Sequence, residues 1–291
     1  MFIYLFDRGD RLGANISNYL AQIFICHKNN YIIKFRDNSK ENYRYSNSIF
    51  IKAIFNYIDK YNEELYKKNI RDDEERVLND QWDLLYTTSF ALQEIKKDYI
   101  SYFYDHIYDF VKNDFDQLTN HYNIPFDVNK TILVHLRLDD TANWNDYDGS
   151  ICSDYHRNRI SNNECCHTDW DHLSKKTDNV QAPFSKEKIE AIINKAKEKF
   201  DGYKVILLTS PKSDTSFLDY EVIKNEDENM DLFLLTMCNV VILSRSNFSF
   251  SSLLYNKNKK YVYVPLWGHF ICLGLDTKYD NTDKTKMEHF Y

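Results

Sequence analysis

The pattern of apolar and polar positions divides the first part of the chain into two short strands and a helix. The apolar runs Phe2–Phe6 and Tyr31–Phe35 predict strands. Between them, a polar stretch with two glycines predicts a loop, and apolar residues at helical spacing predict a helix from about Asn15. Strand, loop, helix and strand in this order predict a parallel βαβ unit, because parallel strands need a crossover connection.

The next region, from about Ser46 to Tyr122, is predicted to be mostly helical. Its aromatic residues follow an amphipathic pattern, and we interpret them as core packing. The helical pattern breaks at Asn123–Phe126, and we place a domain boundary close to it. The predicted domains are an N-terminal α/β domain over 1–128, with the helical region inside it, and a C-terminal domain over 129–291.

The second half of the chain alternates strands and helices again. Predicted strands cover 131–138, 204–210, 239–244 and 260–266. Predicted helices cover 185–200, with Ser185 as the N-cap, 229–238 and a segment that opens at a Ser-rich turn. A polar insert without periodicity covers about 144–179. The chain is therefore predicted to be an α/β protein with two Rossmann-like domains that face each other across a cleft.

Composition narrows the classes of protein that fit this pattern. With 43% hydrophobic and 28% charged residues, the chain has enough apolar material for packed cores. The net charge of −7 argues against a general nucleic-acid binder, so an anionic ligand needs a local positive site. No apolar run is long enough to span a membrane, and the N-terminus lacks the features of a signal peptide. The 6 cysteines are irregularly spaced, so we expect reduced thiols and a cytoplasmic location.

Polar turns follow three of the predicted strands, where open parallel sheets bind ligands. In the turn Ser244–Ser249, serine and asparagine side chains precede a helix, whose first N–H groups and partial positive charge suit a phosphate. The alternative is that these residues only cap the helix for stability. In the turn at 135–140, strand alternation puts His135 and Arg137 on one side, and an arginine grips phosphate with two N–H groups.

Each of the remaining polar features also has two interpretations. Arg137 either binds an anionic ligand or forms a salt bridge with Asp139 or Asp140. The glycine-bearing turn before Asn15 either approaches a ligand closely or is a solvated loop. The insert carries potential zinc ligands in an unrecognised spacing, so it is either a metal site of a different α/β enzyme or a polar loop at the cleft. These ligands are Cys152, His156, Cys165, Cys166, His167 and His172.

Three motifs, in this order, resemble the fucosyltransferase superfamily, chiefly the α-1,2-fucosyltransferases of family 11, with kinship to the protein O-fucosyltransferases. DRLGAN, Asp10–Asn15, is similar to the family's GRLGNQ loop. HLRLDD, His135–Asp140, is similar to its HxRxGD strand end. The segment Asp231–Ser252 is similar to a helix, a strand and a Ser-rich turn of the form DLxLMsxCxxxIxSNSTFSWW. The sequence departs from these patterns at Ala14, Leu138, Asp139 and Ser251.

The resemblance implies an inverting glycosyltransferase of the GT-B type that moves a sugar, L-fucose, from GDP-fucose to a glycan hydroxyl without a metal or other cofactor. The N-terminal domain would be the acceptor side and the C-terminal domain the donor side. Arg137 would contact the diphosphate, the turn from Ser246 would hold phosphate, and Asp231 would fix the nucleotide. The departures leave open a non-catalytic nucleotide-sugar or glycan-binding protein of the same fold.

The implied catalytic residues are Arg137 with Asp139 or Asp140 as the general base, and Asp7 and Asp10 compete for the role of base. The implied donor-binding residues are His135, Arg137, Asp231, Ser244, Ser246, Asn247, Phe248, Ser249, Arg11, Gly13 and Asn15. No nucleic acid is expected as a partner, and the sequence leaves the acceptor, the linkage and the oligomeric state open.

Overall fold

The computed structural model describes residues 1–7, 11–36, 39–75, 108–120, 122–138, 184–255, 261–265 and 286–290. The chain forms two compact units, Met1–Tyr122 and Asn123–Tyr291. The first unit thus ends at Tyr122 rather than at 128, because the segment before the first strand of the second unit is bonded to that unit. The carbonyl of Val128 accepts a hydrogen bond from the N–H of Asn239 at 3.2 Å.

The first unit begins with a parallel pair of strands. Its strands are β1 (Phe2–Tyr4) and β2 (Ile32–Lys34), and its described helices are α1 (Leu12–Asn29), α2 (Ile49–Lys67) and α3 (Tyr108–Thr119). Phe2 lies opposite Ile32 in parallel register, so the predicted βαβ unit is confirmed. Of the region predicted to be mostly helical, 76–107 lies outside the described residues.

Strand β1 is shorter than predicted because side chains of α1 replace a neighbouring strand beyond Leu5. The N–H of Phe6 donates to Oε1 of Gln22 at 2.7 Å, and its carbonyl accepts from the side-chain amides of Asn18 and Gln22. Such bonds satisfy the backbone groups of Phe6 without extending the sheet. Asn18 and Gln22 are fully buried in this role.

Helix α1 begins at Leu12, three residues before the predicted start at Asn15. Gly13, which was expected in a loop, therefore lies with Asn15 in the first turn of the helix, and both residues are buried. Both the backbone N–H and the Nδ2 group of Asn15 donate to the carbonyl of Arg11, at 3.1 and 3.2 Å. The helix ends at Asn30, which takes the left-handed conformation with φ 55°.

Aromatic side chains fill the core of the first unit, as the amphipathic pattern predicted. The rings of Phe50 on α2 and Phe115 on α3 have centroids 4.9 Å apart. Phe55 on α2 packs against Tyr19 of α1 and against Tyr43, with centroids 5.6 and 5.7 Å apart. The contacts are edge-on or tilted, as aromatic pairs prefer.

Among the described helices, none is both long and apolar enough to cross a membrane.

The second unit is built on a six-stranded parallel sheet. Its strands are β3 (Thr131–His135), β4 (Lys204–Leu208), β5 (Glu221–Ile223), β6 (Val240–Ile242), β7 (Tyr261–Pro265) and β8 (Lys286–Phe290). Its described helices are α4 (Lys186–Lys199), α5 (Glu228–Met237) and α6 (Asn247–Leu254). The strands lie side by side in the order β5-β4-β3-β6-β7-β8. This is the doubly wound order, in which the first strand of the unit lies at the centre.

Alternation along β3 decides which of its side chains face the core below α4. Ile132, Val134, Leu136 and Leu138 belong to one hydrophobic cluster with Ile189 and Ile193 of α4. His135 and Arg137 therefore project to the opposite face. Leu138, which departs from the family pattern, is 4% exposed because it occupies a core position.

Candidate functional site

The carboxyl ends of β3 and β6 lie next to each other at the centre of the parallel sheet. Val134 pairs with Ile242, so both strands end at the same level. The chain leaves β3 toward β4 on one side and leaves β6 toward β7 on the other. Such a reversal of strand order opens a crevice where ligands bind in open α/β sheets. The topology thus brings together two of the predicted turns, at His135–Arg137 and at Ser244–Ser249.

A hydrogen bond joins these two turns directly. Nδ1 of His135 and Oγ of Ser244 are 2.6 Å apart, and the imidazole is 8% exposed. The ring of Phe248 covers the imidazole, with the two centroids 5.6 Å apart. These contacts fix the turn after β6 against the end of β3.

Burial keeps the imidazole of His135 neutral. The pKa of His135 is lowered to about 3, mainly by loss of hydration and in addition by the positive charge of Arg137. At neutral pH the ring therefore contributes a hydrogen bond and no charge.

We expect the His135 imidazole to show no titration between pH 5 and 8. The Cε1–H resonance of His135, assigned by comparison with His135→Gln, should keep its chemical shift across this range in an NMR titration. In urea-unfolded protein the same titration should show a midpoint near 6.5, the ordinary histidine value. A midpoint near 6.5 in the folded protein would contradict the buried, neutral ring.

The first turn of α6 presents backbone N–H groups at this edge of the sheet. Ser246 is the N-cap, and its Oγ accepts a hydrogen bond from the N–H of Phe248 at 3.2 Å. The N–H of Phe250 makes the first helical bond, to the carbonyl of Ser246 at 3.1 Å. No described residue accepts a hydrogen bond from the N–H of Asn247 or Ser249. These two groups and the helix dipole suit an anion.

The hydroxyl groups further along α6 are directed into the helix. Oγ of Ser249 donates to the carbonyls of Ser244 and Ser246, at 3.2 Å each, and Ser249 is fully buried. Ser251 and Ser252 donate to helix carbonyls at 2.8 and 2.7 Å. The proton of the Ser249 hydroxyl is therefore already used within the turn. Ser249 offers its backbone N–H instead.

Ser246→Ala should lower the free energy of unfolding by about 1 kcal/mol, the usual effect of losing an N-cap. The substitution removes the acceptor for the N–H of Phe248 and loosens the first turn of α6. Urea denaturation measures the change, and Ser251→Ala is the matched control within the same helix. A loss no larger than that of the control would show that Ser246 does not cap α6.

Arg137 lies two residues beyond the end of β3, on the side of His135, and is half-buried. Strand alternation directs its side chain to the same face as that of His135, and its positive charge contributes to the low pKa of the imidazole. Asp139 and Asp140, the expected bases or salt-bridge partners, lie outside the described residues.

Asp231 is a buried carboxyl group in the first turn of α5. It is 8% exposed, and Nδ2 of Asn225 donates to its Oδ1 at 2.7 Å. The pKa of Asp231 is raised to about 7, mainly by burial and also by the charges of Asp227 and Glu228, while the Asn225 bond opposes the shift. Because α5 begins shortly after β5 ends, Asp231 belongs to the same edge of the sheet.

Three residues of this edge were missed in the sequence. Asn225 holds Asp231, and its position after the short strand β5 gave no signal. Thr209 lies at the end of β4, where its Oγ1 donates to the carbonyl of Leu136 at 2.8 Å and so fastens β4 to β3. Arg245 lies between Ser244 and Ser246 and is buried. A charged residue inside a run of serines was a signal that could have found it.

The other candidate residues belong to the first unit. Arg11 is exposed at the start of α1, whereas Gly13 and Asn15 are buried in its first turn. At the end of β1, the hydroxyl of Tyr19 donates to one carboxylate oxygen of Asp7 at 3.2 Å, and the N–H of Arg44 donates to the other at 2.7 Å. Asp10 lies outside the described residues.

No group of three or more histidine, cysteine, aspartate or glutamate side chains suited to a metal ion occurs among the described residues. The cysteine- and histidine-bearing insert lies outside them, so the zinc alternative stays a prediction.

Comparison with known proteins gives no family. No protein-family model and no curated protein matches the chain. Among solved structures, the chain is similar to the crystal structure of POFUT1 in complex with GDP-fucose. That match has 11% identity and a TM-score of 0.38, and it covers 87% of this chain and 93% of that one. A structure of POFUT1 in complex with GDP matches with 14% identity and a TM-score of 0.28, over 68% of this chain and 63% of the other. Similarities of this size define neither the fold nor the function of the chain.

Proposed function

We propose that the chain is an inverting glycosyltransferase that moves a sugar, L-fucose, from GDP-fucose to a glycan hydroxyl. The observation that carries the proposal is the His135–Ser244 hydrogen bond of 2.6 Å between the ends of β3 and β6. It joins the two donor-side motifs of the sequence, and Arg137 follows His135 by two residues, so we expect the guanidinium to lie near the first turn of α6. A cation and a helix N-terminus together form a site for a diphosphate.

In the proposed reaction, this site stabilises the negative charge that develops on the leaving group. As the bond from the sugar to the diphosphate breaks, negative charge grows on the β-phosphate of the leaving GDP. The guanidinium of Arg137 and the N–H groups of Asn247 and Ser249 stabilise that charge, because they are fixed in place before the reaction. Since the protein supplies the positive charge itself, the proposed reaction needs no metal.

The second half of the reaction requires a base. The acceptor hydroxyl attacks the anomeric carbon from the face opposite the diphosphate and loses its proton to a carboxylate. A single displacement of this kind inverts the anomeric configuration. Asp139 and Asp140 follow Arg137 in sequence and are the proposed bases, and Asp7 competes with them because two hydrogen bonds fix its carboxylate.

Asp231 is proposed to bind the nucleotide. A carboxylate accepts hydrogen bonds from two adjacent N–H groups, which is the pattern that the edge of guanine offers. Asn225 orients this carboxylate through the bond of 2.7 Å to Oδ1. The two ends of the donor are thus assigned to different elements at one edge of the sheet. The guanine is assigned to α5 and the diphosphate to α6.

Calorimetric titration tests the proposal most directly. GDP and GDP-fucose should bind, with UDP and ADP binding more weakly. With GDP-fucose and a panel of glycan acceptors, NMR of the product should show the inverted anomer. If no nucleoside diphosphate binds at millimolar concentration, the proposed function is wrong. Donor binding without turnover on any acceptor would leave a binding protein and remove the catalytic part.

A further inference from the structure

The carboxyl end of β4 carries three hydroxyl groups to which the reaction scheme gives no role. Thr209, Ser210 and Ser213 belong to the turn at 209–213, which follows this strand directly. Oγ of Ser213 lies 2.9 Å from Oγ1 of Thr209 and 2.9 Å from Oγ of Ser210. Thr209 and Ser213 are buried, whereas Ser210 is half-buried. The three hydroxyl groups thus form a chain that leads from the interior toward the surface at this edge of the sheet.

The direction of the hydrogen bonds in this chain leaves the proton of Ser210 for a ligand. Oγ1 of Thr209 donates to Oγ of Ser213 and shares its proton with the carbonyl of Leu136. The buried hydroxyl of Ser213 then needs an acceptor for its own proton, and Oγ of Ser210 lies within hydrogen-bond distance. Because Ser210 accepts in this arrangement, its own proton is directed to a bound molecule.

The turn at 209–213 lies between the two parts of the proposed donor site. Strand β4 lies between β5, which precedes the proposed guanine site on α5, and β3, which precedes Arg137. Nζ of Lys224, the first residue after β5, donates to the carbonyl of Ser213 at 2.5 Å. On the other side, the bond from Thr209 to the carbonyl of Leu136 fastens the turn to β3. The turn is therefore held from both neighbouring strands.

The register of β3 and β4 places Ser210 at the level of Arg137. His135 lies opposite Leu208 in this parallel pair. Arg137 and Ser210 each follow these residues by two positions, so strand alternation starts both on the same face. Leu207 packs in the core on the side of α4, which leaves the opposite face to Ser210. We therefore expect the hydroxyl of Ser210 to face the proposed donor.

We propose that Ser210 binds the ribose of the nucleotide and makes the site selective for ribonucleotides over deoxyribonucleotides; this inference rests on the proposed function. With the guanine at Asp231 and the diphosphate at α6, the ribose that links them crosses the end of β4. Neighbouring strands lie about 4.8 Å apart, so the end of β4 lies midway over the roughly 10 Å between the ends of β5 and β3. The hydroxyl of Ser210 donates to a ribose hydroxyl oxygen, which a deoxyribose lacks at one of its two positions.

The test compares GDP with 2′-deoxy-GDP and 3′-deoxy-GDP by calorimetry, for wild type and for Ser210→Ala. Wild type should bind one of the deoxy forms roughly 3- to 10-fold more weakly than GDP, the effect of one lost neutral hydrogen bond. Ser210→Ala should weaken GDP binding by a similar factor and change the affinity for that deoxy form by less than about 2-fold. Ser216→Ala removes an exposed hydroxyl from the same segment and is the matched control, which should keep the preference of wild type.

The outcomes separate this inference from the proposed function. Wild-type protein that binds none of the three nucleotides refutes the proposed function itself. Wild type that binds all three equally overturns the role of Ser210 alone. The role is also overturned if Ser210→Ala keeps the wild-type preference for GDP, or if it loses affinity for all three nucleotides equally, which indicates a structural role.

If Ser210→Ala does not melt cooperatively, Ser210→Cys decides, because cysteine has a similar shape but its thiol is only a weak donor. A preference for GDP as large as that of wild type in Ser210→Cys overturns the inference, and loss of the preference supports it.

Discussion

Replacing Arg137 by alanine is expected to abolish sugar transfer while the second unit stays folded. The side chain is half-buried beyond the end of β3, and the core positions on either side of it, Leu136 and Leu138, are untouched by the change. The leaving GDP loses its nearest proposed cation, and loss of one such preorganised donor lowers rates by roughly 10²–10³-fold. Arg137→Lys should retain part of the rate, because the charge remains but the two-pronged geometry is lost.

GDP release from GDP-fucose, with a glycan or water as acceptor, measures this effect even before the natural acceptor is known. Lys197→Ala is a suitable control, because Lys197 is a cation at the far end of α4, where the chain returns to the amino end of β4. Thermal melting checks that Arg137→Ala is folded. A rate for this variant within a few-fold of wild type would remove Arg137 from the mechanism.

The elements around Arg137 were predictable because their local signals were strong and agreed with one another. The apolar run of β3 has the alternation that puts Leu136 and Leu138 in the core. The N-cap of α4 was correct, since Oγ of Ser185 accepts from the N–H of Lys188 at 3.4 Å. The parallel pairing of the strands of the second unit followed from the alternation of strands and helices, because parallel strands need crossover connections.

Other features depended on contacts that no local pattern contains. Strand β5 has only three residues and includes an exposed glutamate, so it lacked the apolar run of its neighbours and was missed. Strand β8 is equally mixed in composition and was also missed. The early end of β1 is set by Gln22, which is distant in sequence. Local composition cannot reveal strands whose stability comes from pairing and from distant side chains.

The roles of single hydroxyl groups were the least predictable part of the site. Serines at 246 and 249 looked equivalent in sequence, yet one caps α6 and the other donates to carbonyls inside the turn. The difference arises from their positions relative to the helix start, which shifts with a boundary error of one or two residues. A residue type can therefore be proposed for an anion site from sequence, while the atom that would bind the anion cannot.

Asp231→Asn is expected to stabilise the protein at alkaline pH, with an effect that disappears in acid. The folded-state pKa of Asp231 is about 7, against an ordinary value of 3.8, because burial disfavours the carboxylate. Between these values the folded state binds more protons than the unfolded state, so the free energy of unfolding falls as pH rises through this window. Asparagine is always neutral, so the free energy of unfolding of the variant does not fall in this way as pH rises. Above pH 7 the variant should be more stable by about 4 kcal/mol, the linkage value of a shift of about three pH units.

Thermal or urea unfolding at pH 4 and pH 8 measures this difference. The bond from Asn225 survives in the variant, because the side-chain oxygen of asparagine still accepts it. Asp201→Asn is the control, since Asp201 is an exposed carboxyl between α4 and β4, at the opposite edge of the sheet. If Asp231→Asn and wild type have the same free energy of unfolding at pH 8, the buried carboxylate does not destabilise the fold.

The same substitution separates a binding role for Asp231 from a purely structural one. A carboxylate that destabilises the fold at neutral pH fits a residue kept for binding, because binding sites often sacrifice stability. If the carboxylate of Asp231 accepts hydrogen bonds from the N–H groups of guanine, GDP-fucose affinity should rise as the carboxyl ionises near pH 7. The phosphates of this ester do not titrate in that range, so they do not contribute to the change. Asp231→Asn should bind GDP-fucose more weakly, by about 10-fold or more at pH 8, and its affinity should not change with pH. If the variant is more stable and binds GDP-fucose like wild type, Asp231 has no binding role and the guanine binds elsewhere on the sheet edge.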